Sequence, residues 1–276
     1  MFTAQFLSSL KFYWDAKTIN SIHSPYLYDL TCHLLDLRKK DESYDKIEDL
    51  RQALLKNKDG LRVEDYGAGS YTGKASEIKR IARLAKVSSS NTLKCKLLSN
   101  LVSYIQPSCI LELGTNLGLA TAYLHSAAPT ADCITVEGSE TIYQQAKLNL
   151  EALGYNDIEI HNSLFNSFIE EHSPIIERSD LVYMDGDHRY QSTLDYFDKI
   201  WTSWSGTSSV QVIVLDDIYW SKGMQNAWDT IKENYKCQTL DFYKLGIVIR
   251  RENIITSEHL KVVPRWVKPM SFGFWG

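Results

Sequence analysis

Two acidic stretches carry the most reactive chemistry in the chain. "YMDGDHRY" holds Asp185, Asp187 and His188, and "VLDDIYW" holds Asp216 and Asp217. Each follows an apolar run of strand character. If those strands are parallel neighbours, their carboxyl ends face one crevice and the acids converge there. Carboxylates that close repel one another, so a divalent cation or a bound positive charge is needed among them. His188 lies three residues past Asp185. An imidazole with an ordinary pKa of about 6.5 can take a proton at neutral pH. His188 and Arg189 are equally placed to cap the following helix or to pair with Asp187.

Two glycine-rich stretches compete for the role of ligand loop: "VEDYGAGSYTGK" from Val63 and "ILELGTNLGLAT" from Ile110. Such a loop must follow a buried strand, open a helix, and be answered by an acid ending the next strand. The second stretch meets each demand, with Gly114 and Gly118 in the turn and Glu137 as the acid. The first has only a short apolar lead-in and no such acid. It also departs from a phosphate loop at Ala68 and Ala75. The spacing Gly114-Thr115-Asn116-Leu117-Gly118 lacks the middle glycine that dinucleotide pyrophosphates require. With Glu112 just ahead, an acid suited to an ammonium group, a cationic amino-acid nucleoside fits better than NAD.

The elements that must position these groups are legible as a regular alternation. Short apolar strands at 109–113, 133–137, 157–161, 181–185 and 210–217 alternate with helical segments, and "KLLSNLVSYI" forms a lead-in helix stopped by Pro107. "CQTLDFY" and "GIVIRRE" are too close for a helix between them and predict an antiparallel hairpin. The expected fold is α/β, a doubly wound Rossmann-like seven-stranded sheet with an antiparallel last strand. Residues 1–90 read as a helical N-terminal extension or cover, 91–252 as the ligand-binding domain, and 253–276 as a C-terminal tail. A basic helix over "KASEIKRIARLAKVS" is expected after the first glycine stretch, which then reads as a plain surface turn or as a hinge of that cover.

The Gly114–Gly118 loop, Glu137, the "MDGDH" turn and the closing hairpin together resemble class I S-adenosylmethionine-dependent methyltransferases. The fit is closest to the small catechol- and caffeoyl-CoA-type O-methyltransferases, over about residues 93–252; the N-terminal part is similar to their uncharacterised bacterial relatives. The resemblance implies S-adenosylmethionine as cofactor. It gives Glu112 and the Gly114, Thr115, Asn116 and Gly118 loop to the methionine moiety, and Glu137 with Gly138 to the ribose. Asn162 and Ser163 would border the adenine, and Asp185 would lie near the sulfonium. It implies Asp185, Asp216 and Asp217 as ligands of Mg²⁺ or another divalent cation, although the family has asparagine where Asp217 stands. His188, where the family commonly has a catalytic lysine, would act with Asp185 on the acceptor hydroxyl.

The bulk properties narrow the partners. The net charge of −4 gives no reason to expect nucleic acid. Five scattered cysteines argue against a disulfide framework or a zinc ribbon. No signal peptide and no membrane-length apolar run is read, so a cytoplasmic protein is expected. A homodimer is compatible with the sequence and not demanded by it. The expected activity is methyl transfer to a hydroxyl of a small molecule. A non-catalytic binding protein and a macromolecule methyltransferase on the same scaffold stay open.

Overall fold

A computed structural model describes residues 2–38, 42–64, 76–87, 90–204, 210–252, 254 and 256–268. Most of the first glycine stretch, residues 65–75, lies outside the described residues, and so does its reading as a hinge. The N-terminal part comprises α1 (Phe2–Asp15), α2 (Pro25–Leu35), α3 (Glu42–Lys56), β1 (Gly60–Glu64), β2 (Ser76–Arg80) and α4 (Ile81–Val87). Next come α5 (Thr92–Ile105), β3 (Cys109–Leu113), α6 (Leu119–Ala127), β4 (Asp132–Glu137), α7 (Glu140–Ala152) and β5 (Glu159–Asn162). Then follow α8 (Phe165–Glu171), α9 (Ser173–Arg178), β6 (Leu181–Met184), α10 (Tyr190–Ser203) and β7 (Val210–Asp216). The chain closes with α11 (Lys222–Asn234), β8 (Gln238–Asp241), β9 (Leu245–Arg251) and β10 (Glu258–Lys261).

The main sheet has eight strands in the order β10-β8-β9-β7-β6-β3-β4-β5. β9 pairs antiparallel with β7 and β8, and the other pairings are parallel. β3, β6 and the inner part of β7 are fully buried, as strands covered on both faces must be. The sheet therefore agrees with the expected doubly wound arrangement and adds one strand to the seven read from sequence. β10, "EHLK", lies in the segment read as tail and has one buried residue, Leu260. So short and polar a run leaves no strand signature, and it pairs because the exposed edge of β8 offers it a ladder.

The N-terminal part differs from an all-helical cover. β1 and β2 form an antiparallel pair running from Gly60↔Arg80 to Glu64↔Ser76. The basic segment expected to be one helix is thus strand up to Arg80 and helix only from Ile81. The Ile81 and Ala82 amides donate to the carbonyls of Asp59 and Asn57, which sets that corner. Gly60 packs closely there, where a Cβ would come 2.7 Å from Ile78 Cγ2 and push that side chain aside. The hairpin leans on α7, where Thr141 Oγ1 donates to the Arg62 carbonyl at 2.6 Å. No helix among the described residues is long and apolar enough to cross a membrane.

Candidate functional site

The cleft opens where the carboxyl ends of β3, β4, β6 and β7 meet. After β3 the chain turns at Gly114, with φ of 118°, a conformation that side chains rarely adopt. A Cβ at Gly114 would run into the carbonyl oxygen of Asp185, so glycine is needed for the approach as well as for the turn. The Asp185 amide donates to the Leu113 carbonyl at 2.8 Å and joins the two strand ends. Gly118, with φ of 78°, closes the loop as the N-cap of α6.

Glu137 reaches back across this loop. Its Oε2 accepts from the Asn116 amide and its Oε1 from the Ser139 amide, both at 2.9 Å. Burial raises its pKa, partly offset by these amide bonds. Glu137 lines a cavity of about 380 Å³ together with Gly114, Asn116, Gly138 and Asp185. Apolar walls come from Val63, Leu84, Ile142, Leu164 and Phe165. That volume lies within the range of small-ligand pockets, about 300–1,000 Å³.

Of the expected ligand contacts, Glu112, Thr115, Gly118, Asn162 and Ser163 are not on the wall of this cavity. Glu112 is fully buried beneath the loop, and it is absent from the cavity wall. Its Oε2 accepts from Thr135 Oγ1 at 2.7 Å and from Thr121 Oγ1, while Oε1 has no hydrogen-bond partner among the described residues. Burial pushes its carboxyl up to about 8, against those two hydroxyls. Thr115 is buried too, its hydroxyl 2.6 Å from that of Thr135, and it lines a small recess with Gly114, Ser90 and Asp185. Ser163 donates its hydroxyl to the Leu164 carbonyl, and Asn162 braces the turn through Nδ2 to the Glu137 carbonyl at 2.9 Å. The cavity wall after β5 is made instead by Leu164, Phe165 and Asn166.

The acidic end is organised around a lysine. Asp185 and Asp216 do converge, as parallel neighbouring strands require. Lys94, in the first turn of α5, places Nζ 2.7 Å from Oδ1 and 2.5 Å from Oδ2 of Asp216. The Asp216 side chain is only 2% exposed. Burial alone would depress the Lys94 ammonium; the charges of Asp216 and Asp185 outweigh it and raise the pKa. Asp185 Oδ2 accepts from Tyr183 Oη at 3.0 Å and Ser90 Oγ at 3.3 Å. His188 Nε2 lies 3.9 Å from Asp185 Oδ1, an ion-pair distance beyond hydrogen-bond reach.

Of the remaining two acids, Asp187 is committed through its carboxylate and Asp217 is fixed through its backbone. Asp187 is gripped through both oxygens by Arg189, at 2.8 Å from Nη2 to Oδ2, and by Tyr196 Oη at 3.2 Å. Asp217 occupies a left-handed turn, φ 47°, with its amide on the Lys244 carbonyl at 2.7 Å. Among the described residues, no group of three or more His, Cys, Asp or Glu is arranged to hold a metal ion. The trio Asp185, Asp216 and Asp217 expected to do so is therefore not assembled as a cage, because the Lys94 ammonium already occupies both oxygens of Asp216. Trp220, which follows these acids in the chain, is half-exposed. Sequence reasoning missed Lys94, Ser90 and Tyr183. Asn91, the N-cap three residues before Lys94, marks the helix start but not the strand that Lys94 faces.

Residues 111–218 match the family described as "Methyltransferase domain". No curated protein matches the chain. Among solved structures, an O-methyltransferase from Bacillus cereus in complex with SAH is 18% identical, covering 78% of this chain and 92% of its own, with a TM-score of 0.54. TomG, an O-methyltransferase from Streptomyces achromogenes in complex with SAM, is 15% identical over 77% of this chain and 91% of its own, TM-score 0.53. The SAH-bound methyltransferase PaMTH1 from Podospora anserina is 12% identical over 84% of this chain and 98% of its own, TM-score 0.55. At these identities the structural likeness is one of fold.

Proposed function

We propose that this chain, a class I S-adenosylmethionine-dependent methyltransferase, moves the methyl group onto a hydroxyl oxygen of a small-molecule acceptor. The observation that carries the reading is the continuity of the cleft. The cavity under the glycine loop and Glu137 runs to Asp185, with His188 alongside. S-adenosylmethionine, when bound, supplies a methyl group on a positively charged sulfur.

The residues present fit that donor. Gly114 and Asn116 line the cavity with Glu137, whose carboxylate would accept the ribose hydroxyls. Leu84, Ile142 and Phe165 offer apolar surface to the adenine. Asp185 supplies negative charge for the sulfonium. His188 would take the acceptor hydroxyl's proton on Nε2 and pass it to solvent, leaving the oxygen free to accept the methyl group that the bound donor would supply. No covalent enzyme intermediate is required, so positioning supplies much of the acceleration. The net charge of −4 favours a small acceptor over nucleic acid.

Calorimetric titration with S-adenosylmethionine and with NADH tests the cofactor, with binding expected for the first alone. Release of S-adenosylhomocysteine in the presence of a panel of phenols and alcohols tests the acceptor class. His188→Gln is expected to lower kcat by about 10²–10⁴-fold with cofactor affinity unchanged. Binding without turnover on every hydroxyl compound would move the chain to the non-catalytic reading, and full activity of the variant would remove His188 as the base.

A further inference from the structure

We propose that the Lys94 ammonium stands in for a divalent cation at the ends of β6 and β7, so that this chain works without a bound metal. The inference rests on the methyltransferase reading and adds to it the class of acceptor. A metal-dependent site of this shape draws in two adjacent acceptor oxygens as ligands. An ammonium neutralises Asp216 but supplies no coordination sites, so the acceptor needs only the one hydroxyl that reacts.

The geometry is that of a filled position. A divalent ion requires carboxylate oxygens at about 2.0–2.6 Å. The two oxygens of Asp216 that would supply them hold Nζ at 2.7 and 2.5 Å, in an almost fully buried setting. Lys94 is also held in place along its own backbone. Its amide donates to Asn91 Oδ1 at 2.9 Å, in the cap that begins α5. One residue before that cap, Ser90 donates to Asp185 at 3.3 Å and gives its carbonyl to Arg51 Nη1 at 2.7 Å. The same short segment thus carries the ammonium to Asp216 and a hydroxyl to Asp185. With Tyr183 also on Asp185 Oδ2, the oxygen facing His188 is Oδ1.

Manganese titration of the full chain, followed by the loss of the free-ion paramagnetic resonance signal, tests this without any acceptor. The wild type is expected to bind no Mn²⁺ up to about 1 mM. Lys94→Ser, which frees Asp216, is expected to bind Mn²⁺ at least about tenfold more tightly. Wild-type binding that Asp216→Asn abolishes would overturn the proposal. So would a Lys94→Ser protein with a native circular dichroism spectrum and no gain in Mn²⁺ affinity. Cofactor calorimetry on the same samples keeps the two readings apart. Absence of S-adenosylmethionine binding sinks the methyltransferase reading, while the Mn²⁺ result still decides what occupies Asp216.

Discussion

The substitution Glu112→Gln should flatten part of the pH dependence of stability. The carboxyl is fully buried and moves from 4.5 to about 8 on folding, chiefly through burial. Below 4.5 the proton is held in both states. As pH rises, the unfolded chain releases it while the folded chain keeps it until about 8, so this group's stabilisation is fully present at low pH and is lost across that window. Integrating the linkage relation from about pH 5 to about pH 7.5 gives a loss of about 3 kcal/mol. The substituted amide has no such proton, and its oxygen keeps an acceptor for Thr121 and Thr135. Urea unfolding of both proteins at the two pH values isolates the effect, since other titrating groups cancel in the difference. The variant should gain about 3 kcal/mol on the wild type over this interval. A difference constant to within about 0.5 kcal/mol would refute a protonated carboxyl under the loop.

Two further substitutions probe the cleft itself. Glu137→Ala should weaken S-adenosylmethionine binding by about tenfold or more in calorimetry; unchanged affinity would take Glu137 out of the ribose role. Gly114→Ala combines a disfavoured φ with a collision against the Asp185 carbonyl and should cost more than about 3 kcal/mol. Thermal melting reads it directly, and a variant melting within about 3 °C of the wild type would contradict so close an approach.

The sheet was readable because its strands are buried on both faces, which forces runs such as "CILEL" and "VQVIVLD" that no exposed segment would tolerate. The glycine loop was readable for a related reason, since a left-handed turn beside a neighbouring carbonyl narrows Gly114 to one residue type. β10 and the β1–β2 pair were hidden because half-exposed strands can be polar throughout. The role of Lys94 was hidden differently. Its partner lies 122 residues away, and local pattern holds no record of which distant strand a helix terminus will face. Glu112 shows the converse limit. Its position beside the loop matched a family pattern, while the direction of its side chain depended on which face of β3 the loop covers.

The contact between Gly114 and Asp185 has a mechanical side. The turn proposed to face the donor and the acid proposed to face the acceptor meet backbone to backbone, with a shared hydrogen bond from the Asp185 amide to the Leu113 carbonyl. Neither can shift without the other, so the spacing between the two halves of the cleft behaves as a fixed gauge. Changes in acceptor shape must then be absorbed by parts of the wall carried on other segments. The β1–β2 arm is one such part, bringing Val63 and Lys79 to the cavity from outside the main sheet. A library aimed at new acceptors would be better spent on that arm than on the gauge.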